Sequence, residues 1–224
     1  MINLGKVMIL GDSYSTFLGY IPEGFDYWYS ERVNPDNGVL SVSDTWWHKL
    51  MSRAEGEIIL NSSWSGTTVC HTGWRAEDCS HKSFIARFDK LIEEGFFKDN
   101  KIDTLFIFGG TNDSWADSPL GEVKFEDFSR EELFSFCPAI CYLAARAKEH
   151  LPDARIIFIV NAGLKDEVTS ATSAAAEHFG CEVLCLSMME RNLNHPTAKG
   201  MTEIADEVEK YLKAADLKCK MHNA

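Results

Sequence analysis

Four short polar motifs contain the residue types that acyl transfer requires. Ser13 directly follows an apolar run at residues 7–10, and His195 lies near the other end of the chain. A serine hydroxyl becomes a good nucleophile when a nearby base takes its proton, and histidine is the usual base. The tetrahedral intermediate also needs hydrogen-bond donors directed at its oxyanion. The backbone N–H groups of Ser13 and Gly66 and the side-chain amide of Asn112 could supply these donors.

These motifs meet only if the fold brings the ends of several strands together. Strands are predicted at residues 7–10, 57–60, 104–108, 155–160 and 182–186, which are short apolar runs bounded by turn residues. Amphipathic segments with helical spacing separate them, which predicts one parallel sheet covered by helices on both faces. All carboxyl ends of such strands lie at one edge. The sequence therefore predicts an α/β protein, a three-layer α/β/α sandwich forming a single domain over residues 1–224.

The sequence also predicts the helices between these strands and a long first loop. Helices are predicted to follow the N-cap Ser43-Asp44, with Gly56 ending the first one, and at residues 84–95, 131–150, 165–178 and 197–214. Pro138 in the third helix predicts a kink or a late start. Residues 16–42 form a long polar loop rich in aromatic side chains. It is either a lid over the site or a segment that its aromatic residues anchor to the body.

The motifs resemble the four sequence blocks of the SGNH, or GDSL-type, hydrolases. The matching segments are Gly11-Asp12-Ser13, Gly66 at the end of residues 61–66, Gly110-Thr111-Asn112-Asp113 and His195-Pro196, in the family's order. That family comprises esterases, lipases, thioesterases and carbohydrate deacetylases on a five-stranded flavodoxin-like sheet. The resemblance implies that Ser13 is the nucleophile, that Gly66 and Asn112 are oxyanion donors, and that His195 is the base. It implies a serine esterase that needs no metal or cofactor and acts on a small-molecule ester, such as an acetyl group on a carbohydrate.

One position departs from the family pattern. The aspartate that usually lies three residues before the histidine is replaced by Asn192. An asparagine can orient an imidazole but cannot stabilise its positive charge, and the same replacement in serine proteases lowers turnover by about ten-thousand-fold. Three outcomes stay open, in order of preference. Glu190 could complete a Ser-His-Glu triad, a main-chain carbonyl could orient the ring of His195 in a dyad, or the protein could be a weakened or inactive binding relative.

Several neighbours of the motifs have two interpretations each. Tyr14, Trp64 and Trp115 adjoin the serine and the two donor loops, so they could form walls of a substrate pocket or simply pack there. Asp12 and Asp113 are expected to hold loops by accepting backbone N–H bonds. A metal-dependent phosphoesterase using these carboxylates and His195 is a further alternative, although no histidine-rich motif supplies additional ligands.

Composition restricts the partners of the chain. Its 224 residues have a formal net charge of −12, which argues against nucleic acids and anionic membranes as partners. No apolar run reaches the roughly 18 residues of a membrane span and no signal peptide is evident, so a cytoplasmic location is expected. The seven cysteines lack a Cys-x-x-Cys pair and are expected to be buried reduced thiols rather than metal ligands. The sequence gives no indication of the oligomeric state.

Overall fold

A five-stranded parallel sheet forms the centre of the computed structural model, which describes residues 2–222 and side chains up to residue 217. Every neighbouring pair of strands is parallel, which confirms the predicted fold class. The strand order is β2-β1-β3-β4-β5, so β1 lies between β2 and β3. The strands are β1 (Ile2–Gly11), β2 (Ala54–Ser63), β3 (Thr104–Phe108), β4 (Arg155–Val160) and β5 (Glu182–Cys185).

Helices cover both faces of this sheet. They are α1 (Trp46–Met51), α2 (Phe84–Glu93), α3 (Phe96–Asp99), α4 (Thr111–Trp115), α5 (Phe136–His150), α6 (Asp166–Phe179) and α7 (Ala198–His222). Side chains along β1 alternate between two apolar layers: Met8 and Leu10 pack with residues of α2, α5 and α6, while Val7 and Ile9 pack with α1 and α7. The strands are therefore buried on both sides, which is why they read as continuous apolar runs.

Three predicted helix boundaries need correction. Gly56 does not end the first helix but lies inside β2, with a φ of 149° and so little room that an added Cβ would lie 2.5 Å from the carbonyl oxygen of Gly5. The helix before it is capped by Thr45 rather than by Ser43-Asp44, because those two residues belong to a separate 3-10 turn. The helix predicted from residue 131 begins at Phe136, so Pro138 lies in its first turn, where it costs no internal hydrogen bond.

A short hairpin near the carboxyl edge was not predicted. Its strands β6 (Arg191–Asn192) and β7 (His195–Pro196) pair antiparallel through a two-residue turn. Leu193 and Asn194 in that turn have φ angles of 50° and 61°, the left-handed conformation typical of a type I′ turn. Within residues 2–222, none of the helices combines the length and the apolar character that crossing a bilayer requires.

Candidate active site

Ser13 lies at the carboxyl end of β1 in a tight turn. The carboxylate of Asp12 accepts the N–H of Tyr14 at 3.0 Å, and the Ser13 carbonyl accepts the Thr16 hydroxyl at 3.0 Å. A side chain at Gly11 has no room, because an added Cβ would lie 2.5 Å from Oγ of Ser63. The glycine therefore allows the ends of β1 and β2 to approach closely, and the turn after it presents the serine hydroxyl beyond the edge of the sheet.

His195 contacts Ser13 in an orientation suited to a general base. Its Nε2 lies 2.8 Å from Oγ of Ser13, and its Nδ1 lies 2.9 Å from the carbonyl oxygen of Leu193. A carbonyl oxygen can only accept a hydrogen bond, so Nδ1 carries the proton of the neutral ring. Nε2 then has a free lone pair directed at the serine hydroxyl, and this is the tautomer that proton abstraction requires.

The main-chain carbonyl, and not a carboxylate, orients the imidazole. The prediction that Glu190 reaches His195 is wrong: its carboxylate instead accepts from the hydroxyl of Thr197 at 2.6 Å and pairs with Lys199 at 3.2 Å. The physical reason is the type I′ turn, which folds the Leu193 carbonyl back onto the ring two residues later. Among the alternatives left open by the sequence, this geometry corresponds to the carbonyl-supported dyad.

Residues of the long first loop hold the His195 hairpin in place. The side-chain amide of Asn37, which is 1% exposed, donates to the carbonyls of Asn192, His195 and Pro196 at 3.0 to 3.2 Å. The hydroxyl of Tyr29 donates to the Pro196 carbonyl at 2.8 Å. Of the two interpretations of residues 16–42, these buried contacts favour a segment anchored to the body over a lid.

The indole of Trp28 stacks on the imidazole of His195. The ring centroids are 3.6 Å apart and the planes differ by 8°. Both backbone polar groups of Trp28 are hydrogen-bonded: its N–H donates to Oγ1 of Thr16 at 2.9 Å and its carbonyl accepts from Nδ2 of Asn34 at 2.7 Å. No sequence pattern predicts this contact, because only the tertiary fold brings residues 28 and 195 together.

The two other predicted site residues face the same cleft. Gly66 has a φ of 78°, and its N–H, like that of Ser13, has no acceptor among the described residues. Asn112 is the second residue of the helical turn α4 and donates one amide hydrogen to the carbonyl of Thr67 at 2.9 Å, which leaves the second hydrogen available. The cleft has a volume of about 320 Å³ and is lined by Ser13, Trp28, Ser65, Gly66, Trp74, Asn112, Trp115, Leu193, Asn194 and His195.

The predicted aromatic walls are only partly correct. Trp115 borders the cleft and meets the edge of the His195 ring at 6.2 Å between centroids. Tyr14 is wrong as a wall because it is fully buried beneath the site, where its hydroxyl donates to the carbonyl of Asn194 at 2.6 Å. Trp64 stacks on Phe25 and is not among the lining residues.

Arg87 is a structural residue of the site that was not predicted. It is 4% exposed and donates to the carbonyls of Gly11 and Ser62 and, at 3.1 Å, to the hydroxyl of Thr67. One guanidinium thus joins the end of β1, the end of β2 and the Gly66 loop. The available signal was its position three residues after Phe84, on the apolar side of α2, where an arginine normally needs a partner.

Burial dominates the electrostatics of the site. It lowers the pKa of His195 to about 4, against the raising effect of the Leu193 carbonyl and with a smaller lowering effect from Arg191. Burial also raises the pKa of Asp12 to about 7 and that of Asp113 to about 6, even though backbone N–H donors oppose the increase. At neutral pH His195 is therefore uncharged and able to accept a proton.

The two carboxylates act as loop holders, as expected. Asp113 accepts the N–H groups of Val69 and Cys70 at 2.8 and 3.2 Å, and Asp12 accepts that of Tyr14. Across residues 2–217, no group of three or more His, Cys, Asp or Glu side chains is arranged to hold a metal ion. Six cysteines are free thiols, four of them buried, while Cys185 is exposed and Cys219 lies outside the described side chains.

Comparisons with known proteins identify the fold and the family of the chain. Structures assigned as GDSL-like lipases from Bacteroides uniformis and Bacteroides ovatus superpose with TM-scores of 0.87 and 0.86 at 38% and 37% identity. They cover 94% and 95% of this chain and 96% and 99% of their own. A family two carbohydrate esterase from Clostridium thermocellum in complex with cellohexaose shares the fold at 15% identity and a TM-score of 0.60, over 96% of this chain and 65% of its own.

Among the curated proteins, the search found no match. The family model for GDSL-like lipases and acylhydrolases, in contrast, matches residues 5–212, which is nearly the whole chain and includes all four motifs. The chain belongs to the GDSL-like lipase/acylhydrolase family.

Proposed function

We propose that this protein is a carboxylic ester hydrolase that acts through an acyl-enzyme on Ser13. The observation that carries the proposal is the 2.8 Å contact between Oγ of Ser13 and Nε2 of His195, with Nδ1 committed to the Leu193 carbonyl. The tertiary fold creates this contact, because the two residues are 182 positions apart in the sequence. The family membership supports the same reaction class.

In each half of the proposed reaction, Nε2 of His195 first accepts a proton and then donates it. In acylation, Oγ of Ser13 bonds to the ester carbonyl carbon while its proton passes to Nε2, and the carbonyl π electrons become the oxyanion. The N–H groups of Ser13 and Gly66 and the amide of Asn112 are the proposed donors to that oxyanion. The C–O bond to the alcohol then breaks and the alcohol leaves with the proton from Nε2. Water attacks the acyl-enzyme by the same route, which releases the acid and restores Ser13.

The cleft favours a small acyl group on a carbohydrate alcohol. Its volume of about 320 Å³ is at the small end of ligand sites, and three tryptophans, at positions 28, 74 and 115, form part of its wall. Trp74 is 43% exposed at the rim, where a flat indole can stack on a sugar ring. The carbohydrate esterase with cellohexaose bound, which shares the fold, is consistent with such a substrate. An acetyl ester of a sugar is therefore the proposed substrate class.

The direct test is hydrolysis of p-nitrophenyl acetate and of a peracetylated disaccharide, each with EDTA present. Ser13→Ala should abolish turnover, and a fluorophosphonate probe should label the native chain but not the variant. Acetate release should exceed the release of octanoate from the matching ester. If the native chain neither turns over an ester nor reacts with the probe, the proposal fails, and the alternative of a carbohydrate-binding relative is then tested by titration with the same disaccharide. Activity abolished by EDTA would instead favour the metal-dependent alternative.

A further inference from the structure

We propose that Trp28 is a positioning residue whose π face stabilises the imidazolium of His195. It thereby partly replaces the charge stabilisation that the family's aspartate, absent here, would provide. This inference rests on the proposed function, because the positive charge forms only when His195 accepts a proton. The observation is the parallel stack of the two rings, with centroids 3.6 Å apart and planes 8° apart.

The site needs such a partner because its other contacts stabilise the cation weakly. Nδ1 of His195 faces the neutral carbonyl of Leu193 at 2.9 Å, and burial strongly disfavours the charged ring. The charged side chain that acts on the ring is Arg191, and its effect is to lower the pKa of His195 further. The titratable side chains packed against the ring are those of Tyr14 and Tyr29, and both have their hydroxyls bound to main-chain carbonyls.

Among the aromatic side chains, the indole of tryptophan attracts a cation most strongly. Its quadrupole places negative potential above the ring, and the attraction is largest when water is excluded. His195 is 8% exposed, so the charge lies in a region of low dielectric where this attraction is screened little. A contact of this kind corresponds to about 2- to 30-fold in rate if it is lost entirely.

The anchoring of Trp28 agrees with this role. Its backbone N–H and carbonyl are both bound by side chains of its own loop, Thr16 and Asn34, so the indole keeps its plane when the histidine changes charge. A residue that served only as a wall of the cleft would not require a plane matched to the imidazole within 8°.

Site-specific incorporation of fluorinated tryptophans at position 28 separates charge from shape. Fluorine atoms withdraw π density stepwise and change the ring volume little. We expect kcat/KM for p-nitrophenyl acetate to fall progressively from one to four fluorines, by about 2- to 30-fold in total, with an unchanged melting temperature. The matched control is the same series at Trp46, a buried indole bound to the hydroxyl of Ser15 at 3.0 Å. That series should leave kcat/KM flat.

A second measurement does not depend on turnover. The pKa of His195 is followed by its Cε1–H resonance in NMR, which is assigned with His195→Gln. As fluorines are added at position 28 this pKa should fall, so that the acid dissociation constant of the ring rises by the same factor of about 2 to 30. Trp28→Phe should retain more activity than Trp28→Leu, because phenylalanine keeps a π face. A flat response of both kcat/KM and the pKa to fluorination would overturn the inference while leaving the esterase proposal intact. If the native chain shows no Ser13-dependent turnover but the pKa of His195 still responds to fluorination, only the proposed function is overturned.

Discussion

Substitution of Glu190 by glutamine discriminates most clearly between a triad and a carbonyl-supported dyad. If Glu190 were the third member of a triad, the isosteric loss of its charge would lower turnover by about ten-thousand-fold, or about 5.5 kcal/mol. In the structure its carboxylate accepts from Thr197 and pairs with Lys199 at the surface, and it makes no contact with His195. We therefore expect Glu190→Gln to change kcat by less than about threefold, the effect of one exposed pair.

The complementary variant restores the family's aspartate. Asn192 lies in β6, paired across the hairpin with His195, while Nδ1 of that histidine is already occupied by the Leu193 carbonyl. An aspartate at position 192 has to displace this bond before it can act, so we expect Asn192→Asp to raise kcat by less than about threefold. A lower melting temperature is expected because the hairpin turn would have to rearrange.

The assay is steady-state hydrolysis of p-nitrophenyl acetate at pH 7, with melting temperatures measured on the same preparations. Ser13→Ala sets the background, and Lys199→Met controls for loss of the surface pair without touching the carboxylate at position 190. A loss of more than about a hundredfold in Glu190→Gln alone would refute the dyad. An increase of tenfold or more in Asn192→Asp would show that the carbonyl is a poor substitute for a carboxylate.

Three further outcomes follow from the same geometry. Because burial lowers the pKa of His195 to about 4 from the usual 6.5, and the neutral ring is the base, kcat/KM should persist as the pH falls and be half lost well below pH 6; a midpoint at 6.5 or above would contradict this. Arg87→Lys keeps the charge but cannot bridge both strand ends. Differential scanning calorimetry should therefore show a free energy of unfolding that is lower by about 2–4 kcal/mol, and kcat/KM should fall at least tenfold; unchanged values would refute the bridging role. Asn37→Asp removes the donors to three carbonyls, and a drop of about 10- to 100-fold in kcat is expected; a native kcat in the folded variant would rule out that contribution.

The sheet was predictable from the sequence because each strand is buried on both faces. β3 and β4 have the bounds that the apolar runs indicate, since every residue of β3 and all but the first of β4 are buried. β2 begins before its predicted start because a polar residue such as Glu55 is tolerated on an edge strand, and β1 begins at Ile2 because it pairs with that extension. Gly56 was mistaken for a helix stop because the close approach of another strand and the end of a helix both select glycine.

The positions of the four motifs followed from topology, whereas the surroundings of His195 did not. Parallel strands bring their carboxyl ends to one edge, so Ser13, Gly66, Asn112 and His195 had to be neighbours once the fold was known. The direction of each side chain depends on turn conformation. Leu193 adopts a positive φ that its own propensity disfavours, and the tertiary bonds of Asn37 and Tyr29 to the hairpin compensate for it. No local pattern at residues 190–195 reports those contacts.

The electrostatics of the hairpin explain why a neutral support at Nδ1 is consistent with this site. Asp12 and Asp113 are already buried with raised pKa values, so a third buried carboxylate would add a charge to a region where desolvation is the dominant cost. Arg191 has only neutral hydrogen-bond partners within the described residues, the oxygens of Asn161 and Ala162 and the sulfur of Met189, so its positive charge is not cancelled there by an ion pair. That charge disfavours the imidazolium of His195, because it lowers the pKa of the ring. In the proposed reaction the imidazolium therefore forms without an ion-pair partner, and the aromatic face of Trp28 contacts the ring on which it forms.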